Sequence, residues 1–461
     1  MRAWYLSTMG DSKSWTRRGF LGLGVAGGAG LLGAARRRVR DRIAKLTIKR
    51  AFSATPPLVP HDPIRDARTI HVSRGLGPAG NVEAAVASLG GMGAIVGKDD
   101  VVLIKVSAQW WNQGMTNVAA VKRAIELVLE TPGFAGEVIV FENTHFLTTA
   151  GSPLTRGFSH PSERNVDVPG WDKLGDLFPH FAKLGAPVSY VGLVDAMKSA
   201  NGAWGWRDPS RAHGEYGGDG RGPILAGELR DGYRWDFAKT FRIPRSLVDD
   251  AQTPLTWPVF SSPHSGITVD LRDGLFVRKG GTLEPVSRKL TWITMPTVNE
   301  HLDAGLTCCC KSAMGVVDMS AGRPGIHRST RDYQSIHYFG HPNATWRMAG
   351  PLAYFAREVR APDLYLAIAE YVGAIPRGAW DEEADLRLEA ASAHRVGAVV
   401  AGTDPVAVDS WCARNLLAPL KGGAPGRYDL DDPDSMLSCF LRYYRQVYGS
   451  GTLDPKLITV V

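Results

Sequence analysis

Short apolar runs alternate with amphipathic stretches along this chain, and their order predicts an α/β fold. The run Val101–Val106 is rich in β-branched residues, which is typical of a buried strand. Apolar positions at helical spacing follow over Val118–Glu130, with Thr116 or Asn117 as the expected N-cap. A second apolar run, Glu137–Phe141, completes a strand–helix–strand unit. Such units favour a mostly parallel sheet with flanking helices.

The same alternation returns near the C-terminus, after a long stretch of different character. Trp292–Pro296 and Val396–Ala401 are predicted strands, and Asp404 before Pro405 has the pattern of a helix N-cap followed by proline at the first helical position. Residues 151–290 are instead rich in Gly, Pro and Trp and poor in periodic segments. They predict a loop-rich insertion with a few short strands.

The N-terminal segment has the pattern of a twin-arginine export signal. Arg17 and Arg18 precede an uncharged run rich in Gly and Ala, Phe20–Ala35. This run is shorter than the roughly 20 apolar residues that a membrane span needs. We therefore expect the twin-arginine translocase to export the protein to the periplasm or a similar compartment, with membrane contact only through this segment. An uncleaved membrane anchor is the alternative, because Arg36–Arg38 follow the run directly.

These patterns divide the chain into four parts. They are a signal and basic linker (1–54), the first part of an α/β domain (55–150), the insertion (151–290) and the second part of the domain (291–461). Charge follows this division. The 461 residues carry a net charge of +7, but residues 1–50 hold twelve Lys and Arg against two Asp, so residues 51–461 carry −3. Since the folded part also lacks a basic helix, we expect no binding of nucleic acid.

Candidate chemistry lies mainly in residues that follow the predicted strands. Lys105 stands at the end of one strand, and Glu142, Asn143 and His145 follow the next, where loop capping is the alternative role. Farther along, the Cys308–Cys310 run lies among four histidines, which are His301, His327, His337 and His341.

Imidazole and thiolate are common ligands of transition metals. We take His301, His327 and Asp409 as candidate metal ligands, with solvated or capping histidines as the alternative. For Cys308–Cys310 the alternative is a role as small buried apolar residues. The sequence identifies no cofactor, and a metal ion is the candidate that these residues suggest.

Three motifs occur in an order that resembles the family called domain of unknown function 362. They are VLIKVS with EVIVFEN, then MPTVNEHLDAGLTCCCKSAMG, then AGTDPVAVDS. The resemblance covers roughly residues 80–150 and 285–420 and implies an α/β architecture and positions for a site. It implies no reaction, because the family has no established common activity. Some members are iron–sulfur proteins with ferredoxin-like cysteine repeats, and this chain has no such repeat.

We expect Lys105, His301, Lys311 and Asp404 to be catalytic residues around one cleft, with His327 arriving from a following loop. The segments after Lys105, Met295 and Ala401 should leave from carboxyl ends of strands, which meet at one edge of a doubly wound sheet. Such a site suits a metal- or cofactor-associated periplasmic enzyme, or redox partner, that acts on a small anionic ligand. The alternatives are that Asp404 is only a helix cap, and that the protein is an exported, non-catalytic binding protein for a ligand or partner.

Overall fold

A ten-stranded, mostly parallel sheet organises the part of the chain that the structure describes, and it makes the protein a mixed α/β protein. The computed structural model describes residues 68–108, 114–142, 158, 161–162, 164–193, 224, 228–242, 252–301, 304–318, 344–373, 393–421 and 429–461. All of them belong to one compact unit, Lys45–Val461. The expected export signal and the expected ligand His327 lie outside the described residues.

The helices and strands have the following bounds. The strands are β1 Arg68–Arg74, β2 Val101–Val106, β3 Glu137–Glu142, β4 Val188–Gly192, β5 Gly232–Arg242, β6 Gln252–Ser261, β7 Thr268–Asp270, β8 Gly274–Lys279, β9 Thr282–Pro285, β10 Leu290–Met295, β11 Thr297–His301, β12 Gly305–Thr307, β13 Leu364–Gly373, β14 Ala393–Gly402 and β15 Ile458–Val460. The α-helices are α1 Gly77–Ser88, α2 Val118–Leu129, α3 Leu177–Lys183, α4 Ala344–Glu358, α5 Pro405–Cys412 and α6 Met436–Tyr448.

The predicted strand–helix–strand unit is confirmed as β2, α2 and β3. The side chain of Asn117 caps α2 by accepting a hydrogen bond from the amide of Ala120 at 3.2 Å. The main sheet has the order β15-β1-β14-β13-β10-β2-β3-β4, with β11 paired to β13 and β12 paired to β11. From β13 to β4 every neighbouring pair is parallel. The carboxyl ends of β10, β2 and β3 therefore lie at one edge.

The two faces of this sheet are covered differently. On one face, apolar residues of β2, β3, β10, β13 and β14 form a buried core together with residues of α1, α2 and α3. On the other face, the ring of Trp292 packs edge-on against Phe355 of α4, and Phe141 stacks on Phe260 of β6. Among the described helices, none combines the length and the apolar character that a bilayer crossing requires.

Residues 151–290 differ from the expected loop-rich insertion in two respects. First, β4 lies in this range but adds to the main sheet beside β3. Second, β5 to β9 form a five-stranded antiparallel sheet. Ser262 and Ser265 both donate hydrogen bonds of 2.5 Å to the buried carboxylate of Glu137 and so tie the smaller sheet to β3. Short strands without a helical period leave only a weak signal in a Gly- and Pro-rich sequence.

The direction of β14 differs from the expectation that the strands before the three site segments all run parallel. β14 is antiparallel to both of its neighbours, β13 and β1. The chain beyond Ala401 therefore leaves in the direction opposite to the chain beyond Lys105. A buried apolar strand has the same residue pattern whichever way it runs, so the sequence could not reveal this reversal.

Candidate functional site

A buried ion pair lies at the carboxyl ends of β2 and β3. Nζ of Lys105 is 3.2 Å from Oε2 of Glu142, and both side chains are about 95% buried. The strands are adjacent and parallel, so their last residues come together at one edge of the sheet. Oε2 of Glu142 makes no hydrogen bond of good geometry within the described structure. A buried carboxylate oxygen with so few partners is available to hold a proton or to contact a ligand.

The surroundings of Glu142 bring the pKa of its carboxyl group close to neutral pH. Burial raises the pKa of Glu142 to about 7, although the ammonium group of Lys105, the amide of Ala108 and the charge of Lys311 all act to lower it. A carboxyl group with a pKa near the ambient pH can both accept and release a proton. The ammonium groups of Lys105 and Lys311 both favour negative charge at this place, which suits an anion.

The segment after β12 brings Lys311 and Gly315 to this ion pair. Ser312 and Thr294 are joined by a hydrogen bond of 2.5 Å between their hydroxyl oxygens, and Thr294 pairs with Lys105 in the sheet. Gly315 lies directly against the ion pair, because a Cβ at this position would be 3.0 Å from Nζ of Lys105 and 3.2 Å from Oε1 of Glu142. The absence of a side chain at residue 315 thus allows this segment to approach the pair closely.

Asp404 caps helix α5, as the Asp-Pro pattern in the sequence predicts. Its carboxylate accepts hydrogen bonds from the amides of Val406 and Ala407 at the start of α5 and from the amide of Thr452. Nε of Arg68 is 3.5 Å from its Oδ2. Burial raises the pKa of Asp404, and the amides of Ala407 and Val406 offset part of this rise.

The register of the sheet locates the end of β14, two residues before Asp404, relative to Lys105. Gly402 pairs with Tyr365, which pairs with Thr294, which pairs with Lys105. Gly402 is therefore level with Lys105 but three strands away, or about 14 Å at about 4.8 Å per strand. The structure therefore groups Lys105 with Lys311, whereas Gly402, two residues before Asp404, lies three strands away from Lys105.

The expected roles of the histidines stay predictions. His301 is the last residue of β11, which continues beyond the carboxyl end of β10. Its Nδ1 accepts a hydrogen bond of 3.2 Å from the amide of Ala304. His327, which was expected to ligate a metal with His301 and Asp409, is outside the described residues, as are Asn143 and His145.

A second buried polar cluster joins the residues after β12 to helix α5. Oδ1 and Oδ2 of Asp409 accept hydrogen bonds from the amides of Cys309 and Cys310 at 2.8 and 2.9 Å. The thiols of Cys308 and Cys309 are 3.8 Å apart, and one ligand atom from each of them and one from Asp409 lie within 4.8 Å of one another. All five cysteines are buried and free. Thiol and carboxylate groups at this spacing are able to hold a metal ion.

Cys412 lies one helical turn beyond Asp409 on α5, and its thiol acts on the pKa of the Cys308 thiol. Burial raises the pKa of Cys309, Cys412 and Asp409. Burial also acts to raise the pKa of Cys308, but hydrogen bonds with Cys309, Cys412 and Asp409 outweigh it, and its pKa is well below the usual value.

Sequence reasoning identified Cys308–Cys310 and Asp409 separately and missed their contact. The sequence has no CxxC pair of the kind that zinc ribbons contain. A weaker signal was present, because Asp409 and Cys412 are three residues apart on a predicted helix and so share one face. Nothing in the sequence, however, indicated that this face would meet Cys308.

The comparisons with known proteins support part of the expected resemblance. The family model for the domain of unknown function (DUF362) matches residues 260–414. This stretch includes Lys311, Asp404 and the cysteine cluster, whereas Lys105 and Glu142 precede it. No curated protein and no solved structure matches the chain. The chain is therefore similar to this family over one stretch, and the family's description states no reaction.

Proposed function

We propose that this protein is an enzyme that uses Glu142 as a general acid or base on a small anionic substrate, with Lys105 and Lys311 binding the substrate's negative charge. The observation that carries this proposal is the buried Lys105–Glu142 ion pair at the carboxyl ends of β2 and β3. Carboxyl ends of parallel strands are where α/β proteins bind their ligands.

The chemistry of the pair fits this role. Proton transfer is most efficient when the pKa of the catalytic group is near the working pH, and the pKa of Glu142 is raised to about 7 by burial. An anion bound to the two ammonium groups would bring further negative charge close to Glu142. That charge would raise the pKa of Glu142 further. Substrate binding would in this way favour the protonated, acid form of Glu142.

We propose further that the enzyme acts outside the cytoplasm after export by the twin-arginine translocase. This part of the proposal rests on Arg17 and Arg18 before the uncharged run Phe20–Ala35. Of the four catalytic residues expected from the sequence, the proposal retains Lys105 and Lys311 and adds Glu142. Asp404 is left out because its carboxylate is occupied with capping α5.

Binding of anions tests the role of the lysines. Inorganic phosphate, sulfate and citrate are the probes, and the measurement is the midpoint of thermal unfolding, Tm, of the full chain. We expect at least one probe to raise the Tm of the wild type and of Lys122→Met, whose lysine pairs with Glu126 on the surface of α2. The shift should be lost in Lys105→Met and Lys311→Met. A shift that persists in both of these variants would refute the proposed anion site.

Substrate turnover tests the role of Glu142. A mixture of phosphomonoesters and di- and tricarboxylates is incubated with the protein, and mass spectrometry follows the disappearance of each compound. We expect the wild type to consume at least one compound and Glu142→Gln to consume none. Binding of an anion without consumption of any would favour the non-catalytic binding protein over the enzyme.

A further inference from the structure

We propose that Cys308, Cys309, Asp409 and Cys412 bind one thiophilic divalent metal ion, of which zinc is the representative, in a closed structural site. This inference is independent of the proposed function, because it uses none of the residues around Glu142. It also differs from the ligand set expected from the sequence, of which only Asp409 remains.

The spacing of the ligand atoms fits a tetrahedral ion. Two thiolates bound to one tetrahedral zinc at about 2.3 Å lie about 3.8 Å apart. The thiols of Cys308 and Cys309 are 3.8 Å apart, and an oxygen of Asp409 completes a group within 4.8 Å. Two sulfur atoms and one oxygen thus lie at the spacing of metal ligands. Cys412 is one helical turn beyond Asp409 on α5 and fully buried, and we assign it as the fourth ligand that a structural zinc requires.

The charge at this place also calls for a cation. Asp409 is 1% exposed, and among the residues that the structure describes no lysine, arginine or histidine forms an ion pair with it. Its two amide donors, from Cys309 and Cys310, satisfy one lone pair on each oxygen and leave others for a metal. Burial of a carboxylate beside thiol groups is costly unless a positive charge compensates it. A divalent ion would provide that charge.

The site is closed to solvent and connected to the ion pair through the chain. Cys308 and Cys412 are fully buried and Cys309 is 3% exposed, so the described residues leave no open position like that of a catalytic zinc. Lys311 and Gly315 follow these ligands within a few residues and reach the Lys105–Glu142 pair. A metal ion here would fix the first turn of that segment and thereby the position of Lys311.

Metal content and cobalt spectroscopy of the full chain test this proposal. We expect one zinc ion per chain after purification without chelators. After the metal is removed, added Co²⁺ should produce thiolate-to-cobalt charge-transfer absorption and the strong visible bands of a tetrahedral cobalt centre. Cys308→Ser and Cys412→Ser should lose the stoichiometric metal and the charge-transfer bands. Cys439→Ser is the matched control, because Cys439 is buried in α6 and its thiol donates to the carbonyl of Pro433.

The cobalt titration of the wild type requires no variant to fold and so tests the proposal by itself. A wild-type protein with fully reduced thiols that binds neither zinc nor cobalt would overturn the proposal. Non-reducing mass spectrometry that finds a disulfide between two of the three cysteines would overturn it as well, and so would metal binding retained in both serine variants. Anion binding at Lys105 and Lys311 is measured by a separate experiment on the wild type, so the two proposals can fail separately.

Discussion

Nζ of Lys105 lies 3.2 Å from Oε2 of Glu142 at adjacent, parallel strand ends, and almost no surface of either side chain is exposed. Burying two opposite charges costs much of the hydration that each would have in water, and their attraction repays this cost only while both are present. Removal of either partner should therefore lower the free energy of unfolding, and the size of this effect should depend on pH.

Removal of the lysine alone should destabilise the protein at pH 8. We expect Lys105→Met to lower the free energy of unfolding by about 3 kcal/mol, because it leaves a buried carboxylate without its counter-charge. The double variant Lys105→Met/Glu142→Gln should recover part of this loss, since it removes the unpaired charge. Urea denaturation measures both values. The surface pair of Lys122 and Glu126 is the control, and its corresponding variants should each cost less than about 1 kcal/mol. If the double variant lost as much free energy of unfolding as Lys105→Met and Glu142→Gln lose together, the prediction would be contradicted.

The raised pKa of Glu142 predicts a specific pH dependence of stability. The pKa is about 7 in the folded protein and 4.5 in the reference state, so between these values the folded state binds more protons than the unfolded state. The stabilisation that the protonated carboxyl of Glu142 contributes is fully present below pH 4.5. It is lost as the pH rises to 7. Relative to Glu142→Gln, the wild type should lose about 3 kcal/mol across this window, at about 1.36 kcal/mol per pKa unit.

The measurement for this prediction is the free energy of unfolding of both proteins, by urea denaturation at intervals from pH 4 to pH 8. The difference between them should change inside the window and be constant above it. A difference that does not depend on pH would show that Glu142 ionises normally in the folded protein.

Local features of the fold were predictable from the sequence, and long-range ones were not. β2, α2 and the Asp404 cap depend on residues close together in the chain, namely an apolar run, a helical period and an Asp-Pro pair. The antiparallel direction of β14 was not predictable, because it depends on the neighbours of this strand in the sheet.

The candidate site was predictable to a similar degree. Lys105 and Glu142 each stood out as a charged residue at the end of a predicted strand, and pairing of adjacent strands brings them together. The contact of Cys412 with Cys308 joins parts of the chain that are distant in sequence, and no periodic pattern encodes it. Tertiary packing decides such contacts, so they appear only in the three-dimensional structure.

Export should depend on the two arginines before the uncharged run. We expect Arg17→Lys/Arg18→Lys to remain in the cytoplasm, because the twin-arginine pathway recognises this pair. Fractionation of cells followed by immunodetection measures the distribution. Arg37→Lys/Arg38→Lys is the matched control, since it makes the same chemical change after the run and should leave export intact. Equal export of both variants would exclude the twin-arginine signal.

Asp404 should prove to be a structural residue. Asp404→Ala removes the acceptor of the amides of Val406, Ala407 and Thr452, and loss of a helix cap costs roughly 1–2 kcal/mol. Asp404→Asn keeps a capping oxygen and should cost less. In urea denaturation we expect this order, and both variants should keep the rise in Tm that a bound anion causes in the wild type. Loss of that rise in Asp404→Asn, with stability retained, would instead assign Asp404 to the anion site.

Gly315→Ala should disturb the ion pair without unfolding the protein. The added Cβ would lie 2.9 Å from Cε and 3.0 Å from Nζ of Lys105, so the flexible lysine must move away. Because the ammonium group of Lys105 lowers the pKa of Glu142, its displacement should raise that pKa above its value of about 7. The ¹³C chemical shift of the Glu142 carboxyl, assigned with Glu142→Gln, reports the change in an NMR titration. Gly93→Ala is the control, since its Cβ would meet only Thr131 Cγ2 at an ordinary 3.7 Å. An unchanged titration in Gly315→Ala would mean that Lys105 keeps its contact with Glu142 despite the added methyl group, and that residue 315 does not set the geometry of the pair.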